Sequence, residues 1–79
     1  MNAKKLIRLI MKERGHTYQS LADKLGYATP SGVSQRLISG SKDMRVDSML
    51  SMLEAMDCEL VVRSKLSDKY EWVVTGEEE

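Results

Sequence analysis

The stretch that decides the fold is residues 17–37, TYQSLADKLGYATPSGVSQRL. Its first half reads as a helix, because Thr17 is a natural cap for the start and Gly26 for the end. A second helix begins at the pair Thr29-Pro30, a capping side chain followed by the one helical position at which proline is favourable. Two short helices joined by a turn are therefore expected. Their buried faces are formed by apolar residues at helical spacing: Leu21, Ala22 and Leu25, then Val33 and Leu37.

Two further helices flank this pair. Residues 2–14 place apolar side chains at helical spacing between charged ones, and Gly15 ends that helix. A fourth helix is predicted over residues 46–57, with a poorly capped start. The capping box of the second helix is expected to be incomplete, because Ser20 stands where Glu or Gln would reach back. The methionines that recur on the inner side of the fourth helix are Met49, Met52 and Met56.

The hydrophobic period changes after the fourth helix. Residues 60–63 and 70–75 are rich in β-branched and aromatic side chains and are predicted to pair as a β-hairpin. The chain therefore divides into a helical part, residues 1–57, and a hairpin of the same domain, residues 58–76. Residues 77–79 form an acidic tail.

The chain has 79 residues, enough for one compact domain and too few for two. Its 12 Lys and Arg balance its 12 Asp and Glu, but the charges are unevenly placed. Residues 1–45 hold nine basic and three acidic side chains, a net charge of +6, whereas residues 46–79 hold three and nine, a net charge of −6. This asymmetry indicates a basic working surface attached to an acidic support.

Composition argues against several other classes of protein. Apolar runs are far shorter than the ~20 residues of a spanning helix, and the start of the chain lacks a cleavable leader pattern, so we expect a cytoplasmic protein with no membrane partner. Cys58 alone cannot form an intramolecular disulfide, and Cys58 with the single His16 cannot form a metal cage. Neither an enzyme nor a cofactor is expected, because no nucleophile with a base and no glycine-rich phosphate loop is found.

The pattern TYQSLADKLG at residues 17–26, followed by VSQRL at residues 33–37 and the fourth helix, resembles the phage Cro/repressor-like family, also called the xenobiotic-response-element type. The resemblance covers about residues 2–57. It implies a four-helix, lambda-repressor-like helix-turn-helix domain, which the hairpin completes to a mainly α fold with a short C-terminal β-hairpin. It also implies a sequence-specific DNA-binding regulator of transcription, a repressor of phage or mobile-element type.

The outer face of the third helix is the expected reader of DNA. If Val33 and Leu37 point inwards, a rotation of about 100° per residue turns uncharged polar side chains outwards, towards the major groove. Gln35 can form a bidentate pair with adenine, Ser31 can donate or accept, and Ile38 can touch a thymine methyl group. The alternative interpretation of this face is a solvated polar surface. The predicted base contacts are Ser31, Ser34, Gln35 and Ile38.

Phosphate contacts are expected at the rim of the same surface. The family often has Gln directly after the position of Thr17, whereas this chain has Tyr18 and then Gln19, so the contact could pass to either side chain or to the first N–H groups of that helix. Gly32 lacks a side chain and would let the backbone approach DNA. The predicted phosphate contacts are Tyr18, Gln19, Arg36, Ser39, Lys42 and Arg45.

Double-stranded DNA, in a palindromic operator, and a second copy of the chain are the expected partners. A homodimer is predicted because so small a core supplies little stability and because a hairpin that is apolar on both faces needs a cover. Two alternatives stay open: the antitoxin of a toxin–antitoxin pair, whose main partner is a toxin protein, and a scaffold that contacts proteins only. The predicted dimer contacts are Leu60, Val61, Val62, Trp72 and Val73, with Met52 or Met56 as contributors.

Overall fold

The computed structural model of the chain describes residues 1–38, 42–66 and 70–75. The predicted mainly α fold, with four helices and a C-terminal antiparallel hairpin, is confirmed. The acidic tail predicted at residues 77–79 lies outside the described residues. The elements in chain order are α1 (Ala3–Arg14), α2 (Tyr18–Leu25), α3 (Ser31–Ile38), α4 (Val46–Ala55), β1 (Leu60–Arg63) and β2 (Glu71–Val74).

Helices α1 and α2 end at glycines, as predicted. Gly15 follows α1 with a φ of 71°, and Gly26 follows α2 with a φ of 79°. Glycine takes this left-handed conformation without steric strain, and its N–H can then bond back to the last turn of the helix. At the other end of α1, the Asn2 side chain accepts a hydrogen bond from the Lys5 N–H at 2.9 Å. Local residues therefore contribute to both ends of α1.

The start of α2 differs from the prediction. Thr17 Oγ1 accepts from the Ser20 N–H at 3.1 Å, and Ser20 Oγ accepts from the Thr17 N–H at 2.9 Å. The capping box, predicted to be incomplete, is complete. The first turn of α2 brings Ser20, its third residue, back over Thr17. The short Ser20 hydroxyl therefore reaches the Thr17 N–H, which a longer Glu or Gln side chain more often binds.

One apolar core joins the four helices. Helices α3 and α4 each pack against both α1 and α2. The expectation that Met52 or Met56 contributes to a dimer contact is wrong, because each is only 1% exposed and points into the core of its own chain. The largest fully buried side chains are Ile7, Leu21, Val33, Leu37, Met52 and Met56.

Helix α4 is shorter than predicted. Its poorly capped start is confirmed, because Arg45 stands at the cap position and makes no side-chain capping bond. Its end is at Ala55 instead of Asp57. Asp57 takes a left-handed φ of 58°, a conformation that Asp tolerates better than most residues with a Cβ. This residue ends the helix and turns the chain towards β1.

The hairpin has an apolar surface on each side. Its register pairs Leu60 with Val74, Val61 with Val73, Val62 with Trp72 and Arg63 with Glu71. Directly opposed residues share a face of the sheet. One face therefore carries Leu60, Val62, Trp72 and Val74, and the other carries Val61, Val73 and the Arg63–Glu71 ion pair, with Nε and Oε1 3.6 Å apart.

Candidate functional site

The turn between α2 and α3 is built from backbone hydrogen bonds and hydroxyl groups. The Tyr27 N–H donates to the Ala22 carbonyl oxygen at 2.9 Å, which closes the end of α2. Helix α3 begins at Ser31, slightly later than the predicted start at Thr29-Pro30. The Thr29 hydroxyl lies 2.6 Å from the Ser31 hydroxyl, and the Pro30 carbonyl accepts the first helical bond, from the Ser34 N–H. The result is a pair of short helices that pack against each other at a tight turn.

The predicted orientation of α3 is confirmed. Val33 and Leu37 are fully buried, which turns Ser31, Gln35 and Ile38 to the opposite side, where they are exposed. We call these three residues the outer face of α3. Ser34, the fourth predicted base contact, is half-buried at the edge of that face. The structure thus brings the predicted base contacts together on one surface, and their contact with DNA stays a prediction.

The predicted phosphate contacts are spread over two places. Gln19 is exposed near the start of α2, and its Nε2 donates to Asp23 Oδ1 at 2.7 Å. Arg45 is exposed after α3 and pairs with Asp47, with Nε and Oδ1 3.4 Å apart. Because both side chains of this ion pair are largely in water, it contributes about 0–1 kcal/mol and leaves Arg45 available to another anion. Lys42 is also exposed, and Ser39 lies outside the described residues.

Tyr18 lines a groove, together with two basic residues, that the sequence did not predict. The groove has a volume of about 430 Å³ and joins the start of α2 to the side of α1. Arg8 and Lys12 are four residues apart and so lie on the same side of α1. This spacing could have identified Arg8 and Lys12 as a pair, but it does not indicate which other helix they face. The residues that line the groove are Arg8, Met11, Lys12, His16, Thr17 and Tyr18.

Gly32 has a role in packing that the sequence did not predict, and its approach to DNA stays a prediction. A Cβ at this position would lie 2.9 Å from Cδ2 of the Tyr27 ring, so the missing side chain makes room for that ring. The Arg36 guanidinium covers the ring as well, with its central carbon 4.7 Å from the ring centroid. Sequence spacing does not connect these three residues, because they meet only when the turn folds back on α3.

Asp43 is a second residue that the sequence analysis passed over. Its carboxylate accepts from the Ala3 N–H at 2.9 Å and from the Lys4 N–H at 3.1 Å. The bond from Ala3 is the main reason that the pKa of Asp43 is lowered, with smaller contributions from the Met44 and Lys4 N–H groups, partly offset by desolvation. The loop that follows α3 is thereby tied to the start of α1, 40 residues away in the chain.

The hairpin is a second candidate surface. Four of its five predicted contact residues are between 40% and 56% exposed, and Leu60 is half-buried against the core. Tyr70 adds to this surface, since its ring stacks on that of Trp72 with centroids 6.4 Å apart. The alternation of the strand, continued one residue back from β2, was the signal for Tyr70. The four exposed predicted residues are Val61, Val62, Trp72 and Val73.

The described parts of the chain give two further findings. Across residues 1–38, 42–66 and 70–75, no helix is long and apolar enough to cross a membrane. In the same ranges, no three His, Cys, Asp or Glu side chains are grouped so that they could hold a metal ion. Comparison with models of protein families, with curated proteins and with solved structures found no match to this chain.

Proposed function

We propose that the chain is a sequence-specific DNA-binding regulator of transcription, in which α2 and α3 act as a helix-turn-helix and α3 enters the major groove. The observation that carries this proposal is the outer face of α3. It presents the amide of Gln35, the hydroxyl of Ser31 and the apolar side chain of Ile38 on a helix whose opposite side is buried. The Gln35 amide can pair with adenine, the Ser31 hydroxyl can bond to the edges of several bases, and Ile38 can contact the thymine methyl group.

The distribution of charge supports the same ligand. The uncharged outer face is followed by Lys42 and Arg45, both exposed, and the groove beside Tyr18 adds Arg8 and Lys12. Phosphates supply most of the affinity of a DNA-binding protein, whereas uncharged groups at base edges supply discrimination. An uncharged surface on α3, in a half of the chain with a net positive charge, therefore suits double-stranded DNA better than it suits an acidic protein.

The hairpin is the proposed contact with a second copy of the chain. Isolated two-stranded hairpins are marginal in water, and this one keeps Trp72 and three valines largely exposed. A twofold dimer would present two copies of α3 to DNA, which matches a palindromic operator. A toxin protein covering the same surface is the alternative occupant, and a dimer of the purified chain alone would exclude the need for it.

The resemblance to Cro/repressor-like proteins makes repression, in a phage or mobile element, the proposed direction of regulation. A repressor of this kind acts by occupying DNA, so no catalytic residue or cofactor is required for the proposal. It would act in the compartment that holds the DNA, in agreement with the cytoplasmic location expected from the sequence.

The test is a selection of duplexes from a random pool by the purified full chain. We expect a preferred, palindromic site, whose affinity Gln35→Ala lowers by about 1–3 kcal/mol with little change in binding to random duplexes. The chain offers a matched control, because Gln19 is its other glutamine and is a predicted phosphate contact. Gln19→Ala should weaken binding to both kinds of duplex equally.

Two results would contradict the proposal. Failure of the full chain to enrich any duplex, even at low ionic strength, would contradict DNA binding and favour the protein-only scaffold. A Gln35→Ala variant that selects the same bases as the wild type at every position would remove Gln35 as the reader.

A further inference from the structure

Three contacts join the turn before α3 to the helix itself. The central carbon of the Arg36 guanidinium lies 4.7 Å from the centroid of the Tyr27 ring. Arg36 Nη1 donates to the Gly32 carbonyl oxygen, one helical turn earlier. Gly32 packs against the same ring so closely that a Cβ there would lie 2.9 Å from Tyr27 Cδ2. The ring is thus held by Gly32 and Arg36, both in α3.

Tyr27 is itself fixed to the body of the domain. Its side chain is half-buried and packs against the core, and its N–H donates to the Ala22 carbonyl oxygen at 2.9 Å. Helix α3 has only eight residues, whereas isolated helices shorter than ~12–15 residues are marginal in water. Contacts with the rest of the chain must therefore determine how α3 sits. The buried Val33 and Leu37 hold its inner side against the core, and Tyr27 is a further contact beside the helix.

We propose that Tyr27 and Arg36 form a brace that fixes the final rotation of α3 on the core and so aims its outer face, which makes Arg36 a positioning residue instead of the phosphate ligand expected from the sequence. This inference rests on the proposed function. Gln35 directly precedes Arg36, so a rotation of α3 that separates Arg36 from the ring also moves Gln35. Arginine suits the task, because its planar guanidinium stacks on an aromatic ring while its N–H groups reach a carbonyl oxygen.

The brace predicts a signature in the free protein. In wild type, the Tyr27 ring should shift the NMR signals of the Arg36 Cδ and Nε protons upfield. Tyr27→Phe keeps the ring and should preserve the shift, whereas Tyr27→Leu removes the ring, keeps apolar bulk and should abolish it. Identical Arg36 signals in wild type and Tyr27→Leu would overturn the brace. Thermal unfolding of each variant, with Tyr27→Phe as the rescue, separates loss of the ring from loss of folding.

The effect on DNA is measured with two probes, the duplex that wild type enriches from a random pool and a random duplex of equal length. Tyr27→Leu changes no charge, yet it should lower the ratio of the two affinities about two- to fivefold and leave the salt dependence unchanged. Arg36→Gln should have the same effect, and the double variant should resemble either single one, since both remove one interaction.

Lys42→Gln is the matched control for the loss of one positive charge. If Lys42 binds a phosphate, Lys42→Gln should bind both probes more weakly, and the dependence of its affinity on salt concentration should fall by about one unit of slope. If Arg36→Gln behaves like Lys42→Gln, or if the effects of Tyr27→Leu and Arg36→Gln simply add, Arg36 is a phosphate ligand and the inference is wrong. A wild type that binds neither probe overturns the proposed function and the aiming of α3 with it, whereas the NMR signature alone decides whether the brace forms.

Discussion

The outer face of α3 and the hairpin are both exposed, but the first has polar side chains in contact with water and the second has mainly apolar ones. Ser31 and Gln35 on the outer face are exposed polar residues, and contact between such residues and water costs little free energy. Trp72 and Val73 on the hairpin gain free energy whenever their apolar surface leaves water. The outer face of α3 is therefore stable in water as it is, whereas the exposed apolar surface of the hairpin would gain stability from a cover.

The support beneath the two surfaces differs as well. Val33 and Leu37, behind the outer face of α3, are fully buried in the core of the four helices. In the two strands, only Leu60 and Val74 are even half-buried. The buried contacts of the single chain therefore lie mainly in the helices, and the hairpin contributes few of them.

The largest expected effect tests this difference with one substitution at two places. Val33→Ala should lower the free energy of unfolding by about 2 kcal/mol, because it removes buried methyl groups and leaves a cavity. Val73→Ala, at a residue that is 55% exposed, should cost less than about 0.5 kcal/mol. Urea unfolding of the two variants, at a protein concentration low enough to prevent association, gives the comparison. Equal losses would mean that the hairpin is a full part of the core.

The next effect concerns association of two chains. Val73→Ser should weaken the dimer about tenfold in sedimentation equilibrium, since a polar group replaces apolar contact area. Val46→Ser is its matched control, because Val46 is also more than half exposed but lies on α4, outside the hairpin. It should leave the dimer unchanged. A folded wild type that stays monomeric at tens of micromolar would show that a second copy is not the partner of the hairpin.

The smallest effect is a dependence of stability on pH. The folded chain lowers the pKa of Asp43 below 3.8, mainly through the Ala3 N–H, so the carboxylate stabilises the fold above that pH. This contribution should disappear as the pH falls from 3.8 through the lowered pKa. Asp43→Asn should therefore be less stable than wild type at neutral pH, and the difference should narrow in acid. Thermal unfolding between pH 7 and pH 2.5 measures both.

The control for Asp43 is Asp23→Asn. Asp23 is exposed and accepts a hydrogen bond from Gln19 within the same helix, so its loss should not separate α1 from the loop after α3. A difference between wild type and Asp43→Asn that stays constant across the acid range would rule out the carboxylate as the source of stability.

Much of the fold was predictable because its signals are local. Gly15 and Gly26 end helices through their own backbone freedom, and the spacing of Val33 and Leu37 identifies the buried side of α3. Two details at helix ends, the capping box of α2 and the end of α4, differed from the prediction. Ser20 completes a capping box that usually takes a longer side chain, and Asp57 takes a left-handed conformation that its residue type does not require.

The candidate site was predictable only in part. The outer face of α3 follows from its period, and the exposed valines of the hairpin follow from strand alternation. The contact of Tyr27 with Gly32 and Arg36 depends instead on how the turn closes. The groove that brings Arg8 and Lys12 beside Tyr18 likewise depends on how α1 and α2 pack.

By itself, the sequence determined the number and kind of elements, the side of α3 on which Gln35 lies, and the concentration of positive charge in the first 45 residues, since these depend on period, capping and composition. Only the tertiary structure decided that Asp43 caps α1 from 40 residues away and that Tyr27 holds α3 through Arg36. It also showed that Met52 and Met56 belong to the core of a single chain. The reason is physical: a hydrogen bond or a packed ring needs two groups in one place, and their separation in sequence does not specify that place.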